Sequence, residues 1–331
     1  MAGTTVANVA MVEAVTMALA WEMANDDSVV VLGEDVGIYG GVFRATAGLA
    51  QRFGDDRVID TPLAETMIAG LTIGMAAQGM KPVAEAQFMG FIYAMVDHMI
   101  CHAARMRHRT RGRLSCPMVL RTPFGGGIHA PEHHSESTEA IFAHMPGLRV
   151  VIPSSPSRAY GLLLASIRDP DPVLFLEPKR IYRLNKEEVE DNGEDLPLDV
   201  CFVLRDGTDI TLVTWGAMVK ETLEAADKLA EQGVSAEVID VATISPLDMD
   251  TIIESVAKTG RCVIVHEAAR MCGVGAEIAA GLADAGLYHL HAPVKRVTGY
   301  DSVMPLYKME MKYMPSVKRI LNAVDEVLEV S

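Results

Sequence analysis

Long apolar runs are missing from this 331-residue chain. No stretch reaches the roughly 18–20 residues that a bilayer-spanning helix needs, and the N-terminus lacks the basic and apolar regions of a signal peptide. Both absences lead to the expectation of a soluble, cytoplasmic protein with no membrane partner. Cysteine is scarce as well. Cys101, Cys116, Cys201, Cys262 and Cys272 are dispersed, odd in number and form no C-x-x-C pair. That pattern suits reduced thiols, mostly buried, and argues against a disulfide framework or a zinc site. Positive charge is in deficit, with a formal net charge of −15. A general nucleic-acid binder would present a basic surface, so that class is disfavoured. The local exception, Arg105–Arg113, reads either as a helix C-terminus ended by Gly112 or as a patch facing a subunit or a phosphate.

Two phosphate-binding devices are absent too. There is no G-x-x-x-x-G-K-[ST] loop, and Gly273-Val-Gly-Ala-Glu does not complete a G-x-G-x-x-G fingerprint. If a phosphorylated cofactor is used, another chain is expected to bind its phosphates.

What is present is a chain long enough for two domains and half apolar, so a large core can be buried. Strand and helix signals alternate. Strands are expected at Val29–Leu32, Val83–Gln87, Met118–Arg121, Leu148–Ile152 and Val173–Leu176, and helices at Met11–Ala24, Leu63–Gln78 and Ile92–Arg107. The acidic, turn-forming stretch Lys186–Asp195 reads as a linker. Beyond it the rhythm restarts, with strands at Ile210–Thr214, Ser235–Asp240 and Cys262–Val265. Helices follow at Val219–Gln232, Asp248–Thr259, Val274–Ala285 and Ser316–Val330. The expected class is α/β, with parallel sheets covered by helices: a first domain over 1–190 and a smaller one over 200–331.

In parallel sheets functional groups collect beyond the C-terminal strand ends. Four such tips carry chemistry: Gly33-Glu34-Asp35, Glu85-Ala-Gln87-Phe88, the loop Gly125–Ser137, and Val265-His266-Glu267. Glu65 opens the apolar helix and reads two ways. It is either a first-turn acid with Thr61 as cap, or a carboxylate in an apolar pocket able to bond a bound heterocycle. In GGGIHAPEHHSES, the residues His129, His133 and His134 could ligate a metal, decorate a solvated loop, or act as acid–base groups. Their spacing is not H-E-x-x-H, and Pro131 disfavours a helical presentation; the upstream glycines would let backbone wrap a ligand. His266-Glu267 reads as structural.

The ordered set Gly33-Glu-Asp-Val-Gly37, Gly40-Gly-Val-Phe43, Asp60-Thr-Pro-Leu-Ala-Glu65, Pro82-Val-Ala-Glu-Ala-Gln-Phe88, Phe124-Gly-Gly-Gly127, His134-Ser135, Pro146-Gly-Leu148, Phe175-Leu-Glu-Pro-Lys-Arg180 and Arg296-Val-Thr-Gly-Tyr-Asp301 resembles one family. These are the β subunits of the thiamine-diphosphate-dependent 2-oxo acid dehydrogenases. The pattern is most similar to the bacterial pyruvate dehydrogenase type, with branched-chain 2-oxo acid and acetoin dehydrogenases as near relatives. The resemblance implies a transketolase-like pyrimidine-binding domain, then a transketolase C-terminal domain, in an α2β2 heterotetramer. The α subunit would hold Mg2+ and the diphosphate. The C-terminal domain would build subunit contacts and help dock the dihydrolipoyl acyltransferase core.

Residue by residue, the resemblance makes Glu65 the partner of N1′ of the aminopyrimidine, favouring the imino tautomer that removes the thiazolium C2 proton. Phe91 would pack on the pyrimidine, Gln87 would line the pocket, and Glu34 would lie close by. His134 would reach the thiazolium side and pass a proton during acyl transfer to a lipoyl disulfide; His133 and His129 are weaker candidates. A structural K+ would be held through backbone at Met118, Ser166, Asp169 and Asp171. Two readings from other classes stand beside this one: a histidine-loop metallohydrolase and a non-catalytic assembly subunit.

Overall fold

A strand built from Val29-Val-Val-Leu has no polar residue to turn toward water, so it must be covered on both faces. The computed structural model, which describes residues 5–330, buries all of it. The chain divides into two units, Met1–Phe124 with Ile141–Leu198, and Gly125–Ala140 with Asp199–Ser331.

The first unit runs β1 (Thr5–Ala10), α1 (Met11–Asn25), β2 (Val29–Gly33), α2 (Leu49–Phe53), β3 (Val58–Asp60), α3 (Glu65–Ala77), β4 (Lys81–Glu85), α4 (Met106–Arg109) and β5 (Val119–Phe124). After α5 (Glu139–Ala143), which crosses the division, come β6 (Arg149–Val151), α6 (Pro156–Arg168), β7 (Val173–Pro178) and β8 (Lys186–Asp191). The main sheet is parallel in the order β6-β7-β5-β4-β2-β3. Helix α6 starts where Ser155 accepts from the Arg158 N–H and Pro156 presets the first turn. It packs on α1, and its Arg168 reaches the buried Glu22 at 2.7 Å.

Two expectations need correction. Lys186–Asp191 is not linker but strand β8, paired antiparallel with β1. Lys186, Glu188 and Glu190 are exposed on one face, while Val189 is buried on the other between half-buried Glu187 and Asp191, and the Tyr160 hydroxyl donates to Asp191 at 3.0 Å. The helix expected over Ile92–Arg107 is broken into a 3-10 segment (Met89–Met95), a π segment (His98–Ala103) and α4. The Thr66 hydroxyl donates to the Ala94 carbonyl at 3.1 Å, the acceptor that His98 would use in an unbroken α-helix. The basic stretch does end in a left-handed Gly112, whose N–H returns to Arg107 O.

One charge sits where none is expected. Arg121 lies within β5 and is almost fully buried. Its Nη1 meets Glu85 of β4 at 2.9 Å, and its Nε and Nη2 form a fork on Glu177 of β7 at 2.6 and 2.9 Å. The Tyr182 hydroxyl donates to Glu177 as well. Burial pushes the Glu85 carboxyl up and the Arg121 charge pulls it back; the two carboxylates hold Arg121 cationic.

The second unit contains β9 (Phe202–Arg205), β10 (Ile210–Thr214), α7 (Met218–Glu231), β11 (Ala236–Asp240), β12 (Thr243–Ser245), α8 (Met249–Thr259), β13 (Cys262–Val265), α9 (Val274–Ala285), β14 (Lys295–Val297), α10 (Tyr307–Tyr313) and α11 (Val317–Leu328). Its sheet has the order β14-β13-β10-β11-β9, with only β9 antiparallel. Asp248 caps α8 and Ser316 caps α11. All five cysteines are free.

Replacing Arg121 with Met should leave two carboxylates in the sheet with no counter-ion. Urea unfolding should show a loss of about 3–5 kcal/mol. Unchanged stability would mean the cluster is not the constraint described here.

Candidate functional site

The order β3-β2-β4 brings three C-terminal ends side by side, with Gly33 in register with Asp60 on one side and Glu85 on the other. The chain leaves these ends through Glu34, through Thr61–Glu65, and through Gln87–Phe91. Asp60 fixes the first of these exits. Its carboxylate accepts the N–H groups of Gly37 at 2.6 Å and Ile38 at 3.1 Å, and a Cβ on Gly37 would lie 2.9 Å from it. Gly41, at φ 77°, lies so close to Glu85 that a Cβ would be 3.0 Å from its carboxylate.

Glu65 is the first residue of α3 and is half-buried. Thr61 does not cap this helix: Ala64 is the N-cap, and the Thr61 hydroxyl is buried without a hydrogen bond. With Ala64 as N-cap, the helix starts four residues past Thr61, beyond its side chain's reach. Burial pushes the Glu34 carboxyl up, and the negative charges of Asp35 and Glu65 add to the rise. Glu34 and Glu65 are thus electrostatic neighbours. Phe91, half-buried, meets Phe88 edge-on with ring centroids 5.6 Å apart. Phe88 in turn meets Phe43 at 5.4 Å, and Phe43 meets Tyr182 at 5.3 Å. Gln87, also half-buried, completes the set. A carboxylate, an amide and an aromatic face at one open edge match a polar, flat heterocycle in donor chemistry and in shape. A separate cavity of about 600 Å3, lined by Glu13, Arg44, Arg52 and Arg183 among others, contains none of these residues.

The histidine segment belongs to the second unit. Its glycines serve internal packing: a Cβ on Gly125 would strike the Glu267 carboxylate at 2.0 Å, and one on Gly126 would strike Met304 at 2.4 Å. The fully buried Glu310 holds the turn by accepting the N–H groups of Gly127 at 2.8 Å and His129 at 2.9 Å. It also pairs with Nδ1 of His129 at 2.6 Å, so that imidazole is part of the anchor. His133 and His134 share a short 3-10 turn, with His133 exposed and His134 half-buried. Among the described residues, no group of three or more His, Cys, Asp or Glu side chains could hold a metal.

Behind this segment lies a buried acidic cluster that the sequence gives little sign of. Ser137 donates to Glu267 at 3.0 Å. Glu139 is fully buried, and its carboxyl is pushed up to about 7 by burial first and by the Glu267 charge next. Its own backbone N–H and the Trp215 indole lower it, although the indole does not close a full hydrogen bond. His266 stacks on Trp215 at 5.0 Å and 12°, and burial brings it down to about 3, so it is neutral at physiological pH. This agrees with a structural His266-Glu267.

The residues expected to hold K+ lie in the first unit. The Met118 carbonyl accepts the Val173 N–H, and the Ser166 hydroxyl donates to Leu162 O. Asp169 pairs with Arg149 at 3.0 Å and Asp171 with Arg107 at 2.7 Å. Those carboxylates are occupied, so any cation here would rest on backbone oxygens.

Comparison with known proteins gives the fold and the family. Residues 7–185 match the model of the transketolase pyrimidine binding domain, and residues 201–320 that of the transketolase C-terminal domain. A split-gene transketolase titled as an inactive beta4 tetramer superposes with a TM-score of 0.76 at 23% identity, over 98% of this chain and 99% of that one. A transketolase mutant from Pichia stipitis gives 0.70 at 14% identity, over 97% of this chain and 46% of the other. These likenesses establish a transketolase-type fold. Among curated proteins, the pyruvate dehydrogenase E1 component subunit beta of Bacillus subtilis is 49% identical, over 98% of this chain and 99% of that protein. Its counterpart in Acholeplasma laidlawii is 48% identical over 94% and 95%, and that of Staphylococcus aureus 46% over 98% and 99%. The chain belongs to the family of pyruvate dehydrogenase E1 β subunits.

Glu139 makes stability depend on pH. Its folded-state pKa lies above the unfolded value of 4.5, so the folded protein keeps the proton longer and loses stability as pH rises between these values. Chemical denaturation from pH 5 to 8 should show a decline on the order of 2–4 kcal/mol from this group, absent in Glu139→Gln. A wild-type slope in that variant would assign the effect elsewhere.

Proposed function

We propose that this chain, with an α subunit, decarboxylates pyruvate on thiamine diphosphate and delivers the acetyl group to a lipoyl-bearing acyltransferase. The observation that carries the reading is that Glu34 and Glu65 are electrostatic neighbours beyond the adjacent C-terminal ends of β2 and β3, with Gln87 and Phe91 on the exit from β4, in a chain nearly half identical to pyruvate dehydrogenase E1 β subunits. When bound, the coenzyme's thiazolium supplies the electron sink for loss of CO2.

The chain's own residues supply the acid–base framework. Glu65 would hold the pyrimidine at N1′ and could keep or give up a proton there. Glu34, raised by burial and by neighbouring carboxylates, is a second proton holder beside it. Phe91 packs on the ring face, and its aromatic neighbours fix its position. Gln87 bonds the ring edge. His134 would supply an acid–base group on the thiazolium side, with His133 beside it in the same turn. Mg2+ and the diphosphate belong to the α subunit, and backbone oxygens near Met118, Ser166, Asp169 and Asp171 would hold any K+. The assembly is an α2β2 heterotetramer in the cytoplasm, with the second unit docking the acyltransferase core.

Purified alone, the chain should not decarboxylate pyruvate with thiamine diphosphate and Mg2+; adding the α subunit should restore turnover. In the reconstituted pair, Glu65→Gln should lower kcat by about 100-fold or more, the scale of a lost acid–base group, while the thermal midpoint stays unchanged. Full turnover by the isolated chain, or wild-type kcat in the variant, would overturn the reading.

A further inference from the structure

One pocket of the second unit has a charge opposite to that of the protein. It has a volume of about 260 Å3 and is lined by Arg270, Lys295, Arg296 and Arg319, with Asn322 and Glu326 beside them. Four cations therefore face one carboxylate, in a chain whose formal net charge is −15. The carboxylate is already taken, because Glu326 pairs with Lys295 at 2.7 Å. Among the described residues the three guanidinium groups have no acidic partner. Arg319 spends its donors on the carbonyls of Tyr313, Met314 and Thr298, and its guanidinium lies 4.8 Å over the Tyr300 ring. Arg296 donates to the Arg270 carbonyl at 3.1 Å. Like charges gathered without a counter-ion repel one another, and the cost is greater the less water reaches them.

We propose that this pocket is an anion site for a phosphate group, either free phosphate or the ester of a small metabolite. The three guanidiniums come from different elements: Arg270 from the loop after β13, Arg296 from the edge strand β14, and Arg319 from α11. A planar carboxylate is satisfied by one fork, whereas a tetrahedral oxyanion takes donors from several directions at once. The volume is below the roughly 300–1,000 Å3 of drug-sized pockets, which suits one small anion. The charge of Arg296 is also felt by the buried His266, which it helps to keep neutral, as an uncompensated cation would. The site uses none of the residues assigned to the coenzyme, so it stands or falls independently of that reading.

The test is thermal denaturation and titration calorimetry of the full chain at constant ionic strength, with inorganic phosphate, glycerol phosphate and acetate as probes. Arg270→Gln and Arg296→Gln are the variants; the Arg270 side chain is exposed, so its loss should leave the ligand-free midpoint unchanged. The expected result is a saturable rise in midpoint with phosphate or its ester and none with acetate. Binding should weaken by about tenfold in each variant, the equivalent of one charge-assisted hydrogen bond. Tighter binding of one probe identifies the source of the phosphate group. Equal responses to phosphate and acetate would overturn the proposal, as would variants that bind like wild type. So would a poly-glutamate peptide that binds where phosphate does not.

Discussion

Between β4, β5 and β7, one guanidinium holds two carboxylates away from water. Arg121 is held cationic and is shared by Glu85 and Glu177, so the three strands keep the register in which these groups meet. The constraint reaches the surface by two routes. Through Glu85 it sets where the loop carrying Gly41 can lie, because that glycine sits directly against the carboxylate. Through Glu177 and the Tyr182 hydroxyl it continues into the aromatic series Phe43, Phe88 and Phe91. Gly41 and Phe91 lie on the segments that leave the adjacent C-terminal ends of β2 and β4, and Glu34 is on the first of these exits.

In the proposed reading, these strand ends serve the pyrimidine half of a vitamin-derived coenzyme and the α subunit serves the diphosphate half. A flat nitrogen heterocycle needs a proton-sharing carboxyl and an apolar wall. A diphosphate needs cations, a metal and clustered backbone N–H groups. The first set is present in the first unit, and among the described residues no acidic or histidine cluster is suited to a metal. As a member of the pyruvate dehydrogenase E1 β family, the chain is one component of a larger enzyme. The exposed apolar residues Ile38, Tyr39, Leu63 and Met67, which flank Glu34 and Glu65 in sequence, are in keeping with a surface that another chain covers.

Much of this was readable from residues alone where the signal is local. The apolar strands, the amphipathic α7, α8 and α11, and the tip motifs around Glu34 and Gln87 follow from periodicity and from the rule that sites gather at strand ends, whereas the role of Glu65 at a helix start comes only from the family resemblance. What escaped depends on partners far away in the chain. Glu310 anchors Gly127 and His129 across more than 180 residues, and neither end announces the other. Glu139 looks like an ordinary surface acid until its burial beside Glu267 is seen. Strand β8 was hidden because five of its six side chains are polar and its pairing partner β1 lies at the other end of the unit. Arg121 did leave a trace, a single charge inside Met-Val-Leu-Arg-Thr-Pro-Phe. A charge in the middle of a run that must be buried on both faces calls for buried partners.

The claim that everything else rests on is that this polypeptide grips the pyrimidine and a different one grips the phosphates. A crystal structure of the chain assembled with its α subunit and thiamine diphosphate tests it directly. The account predicts N1′ within hydrogen-bonding distance of the Glu65 carboxyl, the ring against Phe91, and the diphosphate with its Mg2+ on the α subunit. A ring remote from Glu65, or phosphates held by this chain, would contradict it.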